Sequence, residues 1–162
     1  MLLRCLWPGA SGLLLACLLP VPFGGSPADS LQPEQLSHER TVLVESFARE
    51  KLWHWQKSLN LEGWEISLVV VRSTELRPNT LGNIRWDREN KTATIRVLDP
   101  AEHPMPFREM LDDTEFTVVH ELIHLKRDLV LNHYSRSETN RSKEERAVNH
   151  VAETLLKLDR ER

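Results

Sequence analysis

A chain of 162 residues that is 40% hydrophobic and 28% charged has enough apolar material for one globular core and too little length for a large multidomain assembly. Its 21 basic and 24 acidic residues leave a formal net charge of -3 with no long run of either sign, so no polyanion-binding surface is advertised and nucleic acid is not an expected partner. With 6 Gly and 9 Pro, a fibrous or wholly disordered chain is also excluded.

Met1 to Arg4 is a short basic start. Leu13 to Leu19 is apolar and is broken by Pro20 and Pro22, and Gly24 to Ala28 is rich in small residues. That is the layout of a secretory signal peptide over residues 1–28, with a cut after Ala28, rather than of a spanning helix, which needs about 20 uninterrupted apolar residues. The alternative is a lipobox-like Leu14-Leu15-Ala16-Cys17 that would make Cys17 a lipidated N-terminus, although Leu18-Leu19 stays apolar where such proteins turn polar. Either way the expectation is an exported protein of bacterial type, secreted, periplasmic or lipid-anchored, with no membrane span. Both cysteines, Cys5 and Cys17, fall in this segment, so disulfides cannot staple the rest, and a metal site there must use His and carboxylate.

Gly24 to Leu36 reads as a linker, which leaves residues 29–36 before a domain over 37–162. Val44, Ala48, Leu52, Trp55 and Leu59 then recur at helical spacing on one face, with Trp53 and Trp55 expected to pack. Trp64 to Arg72 predicts a largely buried strand. Leu81–Trp86 and Thr92–Leu98 predict a hairpin, with Ala93, Ile95 and Val97 on one face. Asp99 to Asp112 reads as an irregular connection with room for one helical turn. Asp112 with Glu115 predicts a capped start to a helix whose Phe116, Val118, Val119, Leu122, Ile123 and Leu125 make it central. Asn132 to Ser142 reads as a polar loop, and Val148, Val151, Ala152, Leu155 and Leu156 mark a last helix. The expected fold class is α+β: an N-terminal helix, a small mainly antiparallel three-stranded sheet, and two C-terminal helices.

The chemistry lies in His120-Glu121-Leu122-Ile123-His124. Residues four apart in a helix stand one above the other, so His120 and His124 can aim two imidazoles at one ion, and Zn2+ is the expected guest. Glu121 sits beside that face, where its carboxylate can take a proton from an activated water and return it to a departing amine. An apolar, capped helix is a costly place for two imidazoles and a carboxylate without such a partner. Glu144 and Glu145 on the next helix offer a third ligand. Glu145 is preferred because Asn149, one turn on, could supply an amide to the outer nitrogen of a ligating His, whereas Glu144 shares its face with the core-directed Val148 and Val151. Tyr134 or His133, in the polar loop, could stabilise an oxyanion. His38 and His103 are expected at the surface, and His150, one position past the face of Asn149, is read as structural or exposed.

With a His-Glu-Leu-Ile-His helix followed by a helix that opens with Glu, the stretch from Thr114 to Leu156 resembles the gluzincin group of zinc metallopeptidases, in particular the minimal domains of the ImmA/IrrE type. The resemblance implies a zincin-like domain in which His120, His124 and Glu145 are ligands and Glu121 is the general base and acid. It also implies that an edge strand, within Thr92 to Leu98, holds an extended peptide by backbone hydrogen bonds. The expected function is therefore zinc-dependent hydrolysis of a peptide or protein substrate. The alternatives are a non-catalytic exported module with zinc as a structural clamp, its fourth position closed by a side chain such as His133, and an exported interaction protein in which the motif binds nothing. The sequence carries no signal of oligomeric state.

Overall fold

The computed structural model describes residues 33–131 and 138–162. In chain order they form helix α1 (Pro33–Ser58), strand β1 (Glu65–Val71), strand β2 (Gly82–Asp87), strand β3 (Thr92–Leu98), helix α2 (Phe107–Leu131) and helix α3 (Glu138–Arg160), with single 3-10 turns at Ser73–Glu75 and Pro100–Glu102. The architecture is α+β. Residues 1–28, and with them Cys17, lie outside the described residues, as do His133 and Tyr134. Among the described residues no helix is long and apolar enough to cross a membrane.

Helix α1 buries Val44, Ala48, Leu52 and Trp55, the face set by their spacing, and Leu59 packs just beyond its end. Trp53 departs from expectation: it points away from that face and is 69% exposed, with the Lys57 ammonium 5.8 Å from its ring centre. The helix begins at Pro33, inside the stretch expected as linker, because proline is well suited to a first helical turn and a polar turn leaves no trace in apolar spacing.

The sheet has the order β1-β3-β2. β2 and β3 form the expected antiparallel hairpin. Asp87 shapes its turn by accepting from the amides of Glu89 (2.9 Å) and Asn90 (3.2 Å), and Lys91 takes φ 51°. β1 runs parallel to β3, so the sheet is evenly mixed rather than mainly antiparallel. Helices cover only one sheet face. Leu68, Ala93, Ile95 and Val97 are buried, whereas Val69, on the other face of β1, is 43% exposed, so β1 is a half-exposed edge strand and not the largely buried one its apolar run suggests.

Helix α2 is the centre of the molecule: Val118, Val119, Leu122 and Leu125 are fully buried between the sheet, α1 and α3. It starts at Phe107, directly after Pro106, so Asp112 and Glu115 are not its cap. Glu115 instead lies buried against α1, accepting from Trp55 Nε1 at 3.0 Å and pairing with Lys51 Nζ at 2.9 Å, which satisfies a carboxylate that would otherwise be costly to bury. Helix α3 begins at Glu138, within the expected loop, and packs through Val148, Ala152 and Leu156, while Val151 stays at the surface. His103 is the other departure. Its side chain is only 3% exposed and stands 3.3 Å from Asp113 Oδ2, whereas His38 is at the surface as expected and His150, of its two readings, is exposed.

Two contacts fix β2 against α2. A Cβ on Gly82 would lie 2.4 Å from Thr117 Cγ2, so strand and helix approach as closely as only glycine permits. At the other end of the strand, Trp86 Nε1 donates to Asp128 Oδ2 at 2.8 Å, and Arg88 pairs with the same carboxylate at 2.7 Å.

Candidate metal centre

Three side chains converge at the junction of α2, α3 and β2. His120 and His124, one turn apart on α2, bring their Nε2 atoms to 3.0 Å from each other, and Glu145 Oε2, on α3, stands 3.3 Å from the first and 3.4 Å from the second. A tetrahedral ion with bonds of about 2.0–2.1 Å holds its donors about 3.3–3.4 Å apart, so this triangle has the size of three ligands around one ion. His120, His124 and Glu145 therefore form a group that could hold a metal ion.

The electrostatics favour the neutral imidazoles that ligation needs. Burial holds His120 below its ordinary 6.5, against the pull of Glu145 and Asn149. Burial, together with the neighbouring His120, takes His124 down to about 4. Both rings thus keep a free lone pair at neutral pH.

Around this triangle the structure puts Glu144 and Glu145, the preferred third donor, in different surroundings. Glu144 is neither solvated nor core-directed. Its side chain is 8% exposed, it is paired with Arg127 on α2, and its Oε1 lies 3.4 Å from His124 Nδ1. A carboxylate on that side favours a proton on Nδ1 and leaves Nε2 bare, so Glu144 sets the His124 tautomer that could ligate, while Glu145 faces the two Nε2 atoms. Asn149 adjoins His120, as its placement one turn after Glu145 suggests, yet His120 Nδ1 is buried without a hydrogen-bond partner. The clue to Glu144 was present in Arg127: a Glu at the start of one helix can be drawn inward by a cation on its neighbour.

Glu121 is also buried, at 8% exposure, beside the triangle and not in it. Burial first, and the Glu145 charge second, push its carboxyl up to about 7, while a hydrogen bond from the Ile84 amide and the charge of Arg77 pull the other way. The Ile84 contact depends on strand register. Leu98 N donates to Leu81 O, so the odd-numbered residues of β2 pair with β3 and the backbone groups of Gly82, Ile84 and Trp86 turn to the free edge. The edge strand beside the site is therefore β2. The Thr92–Leu98 segment cannot serve, because β3 is central and has neighbours on both sides.

Triangle, Glu121 and β2 edge all open into one cleft of about 930 Å3, which also takes in the Leu76–Leu81 loop and the first turns of α3. A volume of that order accommodates a short extended segment or a small ligand. No family model, curated protein or solved structure matches this chain.

Proposed function

We propose that the protein is a zinc-dependent metallopeptidase of gluzincin type, hydrolysing a peptide or protein substrate laid along the free edge of β2. The observation that carries the reading is a buried carboxyl, Glu121, held near neutral pKa beside a His120–His124–Glu145 triangle of tetrahedral size at the floor of an open cleft. A purely structural clamp has no use for such a group, since a buried carboxylate with no ion pair of its own costs stability.

Zinc has the chemistry for two imidazoles and one carboxylate, and when bound it polarises a carbonyl and lowers the pKa of water towards about 7. The chain's own residues supply the rest. Glu121, with a pKa near 7, can accept a proton from the attacking water and return it to the leaving amine without a large change in driving force. The Ile84 amide limits where that carboxyl can point. The Gly82 backbone and the Ile84 carbonyl, on the edge of β2 turned away from β3, would pair with an extended backbone and bring its carbonyl over the triangle.

The test is a pair of variants of the full chain. The expected result is about one zinc per chain for the wild type, little for His120→Ala, and full zinc with hydrolysis reduced at least ~1,000-fold for Glu121→Gln, read by elemental analysis and peptide turnover. Normal turnover by zinc-loaded Glu121→Gln would sink the mechanism. Zinc binding by a wild type that cleaves nothing would leave the structural clamp.

A further inference from the structure

Every carboxylate that lines the cleft is engaged. Glu75 is paired with Arg96 at 2.8 Å, Asp113 with His103 at 3.3 Å and Glu144 with Arg127; Glu145 faces the two imidazoles, and Glu121 accepts from the Ile84 amide. Arg77, Arg85 and Arg141 line the same cleft, and none has an ion pair or side-chain hydrogen bond among the described residues. A concave wall with uncompensated guanidiniums concentrates positive potential where a substrate must lie.

Of the three, Arg77 sits on the loop between β1 and β2, which lines the cleft together with Glu121 and the β2 edge. It is also held on a stiff platform. Leu76 before it is buried with Val71, Leu81 and Leu98, and the Arg77 carbonyl accepts from Thr80 N at 3.2 Å and Thr80 Oγ1 at 2.8 Å. Pro78 and Asn79, the latter at φ 59°, occupy the middle of that turn as a type II turn requires. Arg96 clamps the approach by donating to the Glu75 carbonyl at 3.2 Å. An exposed guanidinium on a rigid base beside the reacting groups is arranged to grip a planar anion through two parallel N–H bonds.

We propose that Arg77 anchors a carboxylate of the substrate, so that the site selects peptides carrying an Asp or Glu side chain or a free C-terminus close to the bond that is cut. This rests on the peptidase reading, and the experiment separates the two. The zinc-loaded full chain is given a proteome-derived peptide library, cut sites are read by mass spectrometry, and the best-cleaved peptide is remade in matched pairs. One pair carries Asp or Asn near the cut, and the other ends in a free acid or an amide, which tells the two sources of the carboxylate apart.

The expected result is a kcat/KM ratio of at least ~10 in favour of the carboxylate member of one pair, carried by KM, since a charge-assisted hydrogen bond of this kind changes binding by about 10- to 100-fold. In Arg77→Ala that ratio falls to about 1, in Arg77→Glu it inverts, and in Arg77→Lys part of it survives. Three results overturn the proposal and leave the peptidase standing: cleavage with no acidic preference, a preference that persists in Arg77→Ala, or an equal loss of kcat on both members of each pair, which would place Arg77 on the oxyanion instead. No cleavage of any peptide overturns both.

Discussion

Glu121 shows what burying a carboxyl costs the fold. Its carboxyl titrates near 7 in the folded chain against an ordinary 4.5, so between those values the folded state holds more protons than the unfolded state. The fold therefore loses stability as pH rises from about 4.5 through about 7, and the penalty is complete above that. Glutamine keeps the shape and cannot ionise. Metal-free Glu121→Gln is accordingly expected to exceed the metal-free wild type by on the order of 1–3 kcal/mol at pH 8, with the difference vanishing near pH 4, by chemical denaturation at the two pH values. Equal stability at pH 8 would mean that the carboxyl is not buried as described. Glu144 makes the complementary point, since its burial is compensated: Arg127 supplies the counter-charge, and the His124 ring faces the same Oε1.

Among the elements, β2 and α2 meet at the candidate site, because α2 carries Glu121 and the two imidazoles and β2 carries the amide that restrains Glu121. Their separation is set at Gly82. Any side chain there meets Thr117 Cγ2 at 2.4 Å and the Arg96 carbonyl at 2.8 Å, and backbone cannot yield as a flexible side chain can. Gly82→Ala is thus expected to destabilise the fold by about 1–3 kcal/mol and, where it folds, to push β2 off the helix and cost most of the proposed peptide hydrolysis. Gly63→Ala, with nothing within 4 Å, is the control and should fall within about 0.5 kcal/mol of the wild type. Retained stability and turnover in Gly82→Ala would show that the strand–helix spacing does not set the site.

At the scale of the whole molecule, the His120–His124–Glu145 group joins α3 to α2. The triangle draws two donors from α2 and one from α3, so an ion bound there adds a polar tie to the apolar contacts of Val148, Ala152 and Leu156. Ligand that binds only the folded state raises stability by about 4 kcal/mol at a thousandfold excess over Kd. Zinc should therefore raise the thermal midpoint of the metal-free chain, and excess chelator should reverse it. Glu145→Ala is expected to lose this shift. Glu144→Ala should keep it at zinc concentrations about 10- to 100-fold higher, as fits a residue that orients a ligand. An identical response in the two variants would contradict the division of labour between these neighbours.

Apolar periodicity made the buried face of α1, the central place of α2, the hairpin and the α+β class legible before any coordinates, because burial of one face is a local demand repeated every few residues. Helix starts were not legible: Pro33, Phe107 and Glu138 open turns whose residues face solvent, and solvent imposes no pattern. The pairing of β1 was equally hidden, since an apolar run says that a strand exists and not which neighbour it takes, and with it went the identity of the edge strand.

By itself, the sequence determined that two imidazoles share a helix face with a carboxylate beside them, because 3.6 residues per turn leaves no other arrangement. Tertiary structure alone decided the rest: that Glu145 and not Glu144 meets both rings, that Glu144 turns to Arg127 and the far nitrogen of His124, that His103 is buried against Asp113, and that β2 borders the cleft. Each of these depends on how one element is rotated and spaced against another. That is set by the summed packing of the whole core, so no window of sequence contains it.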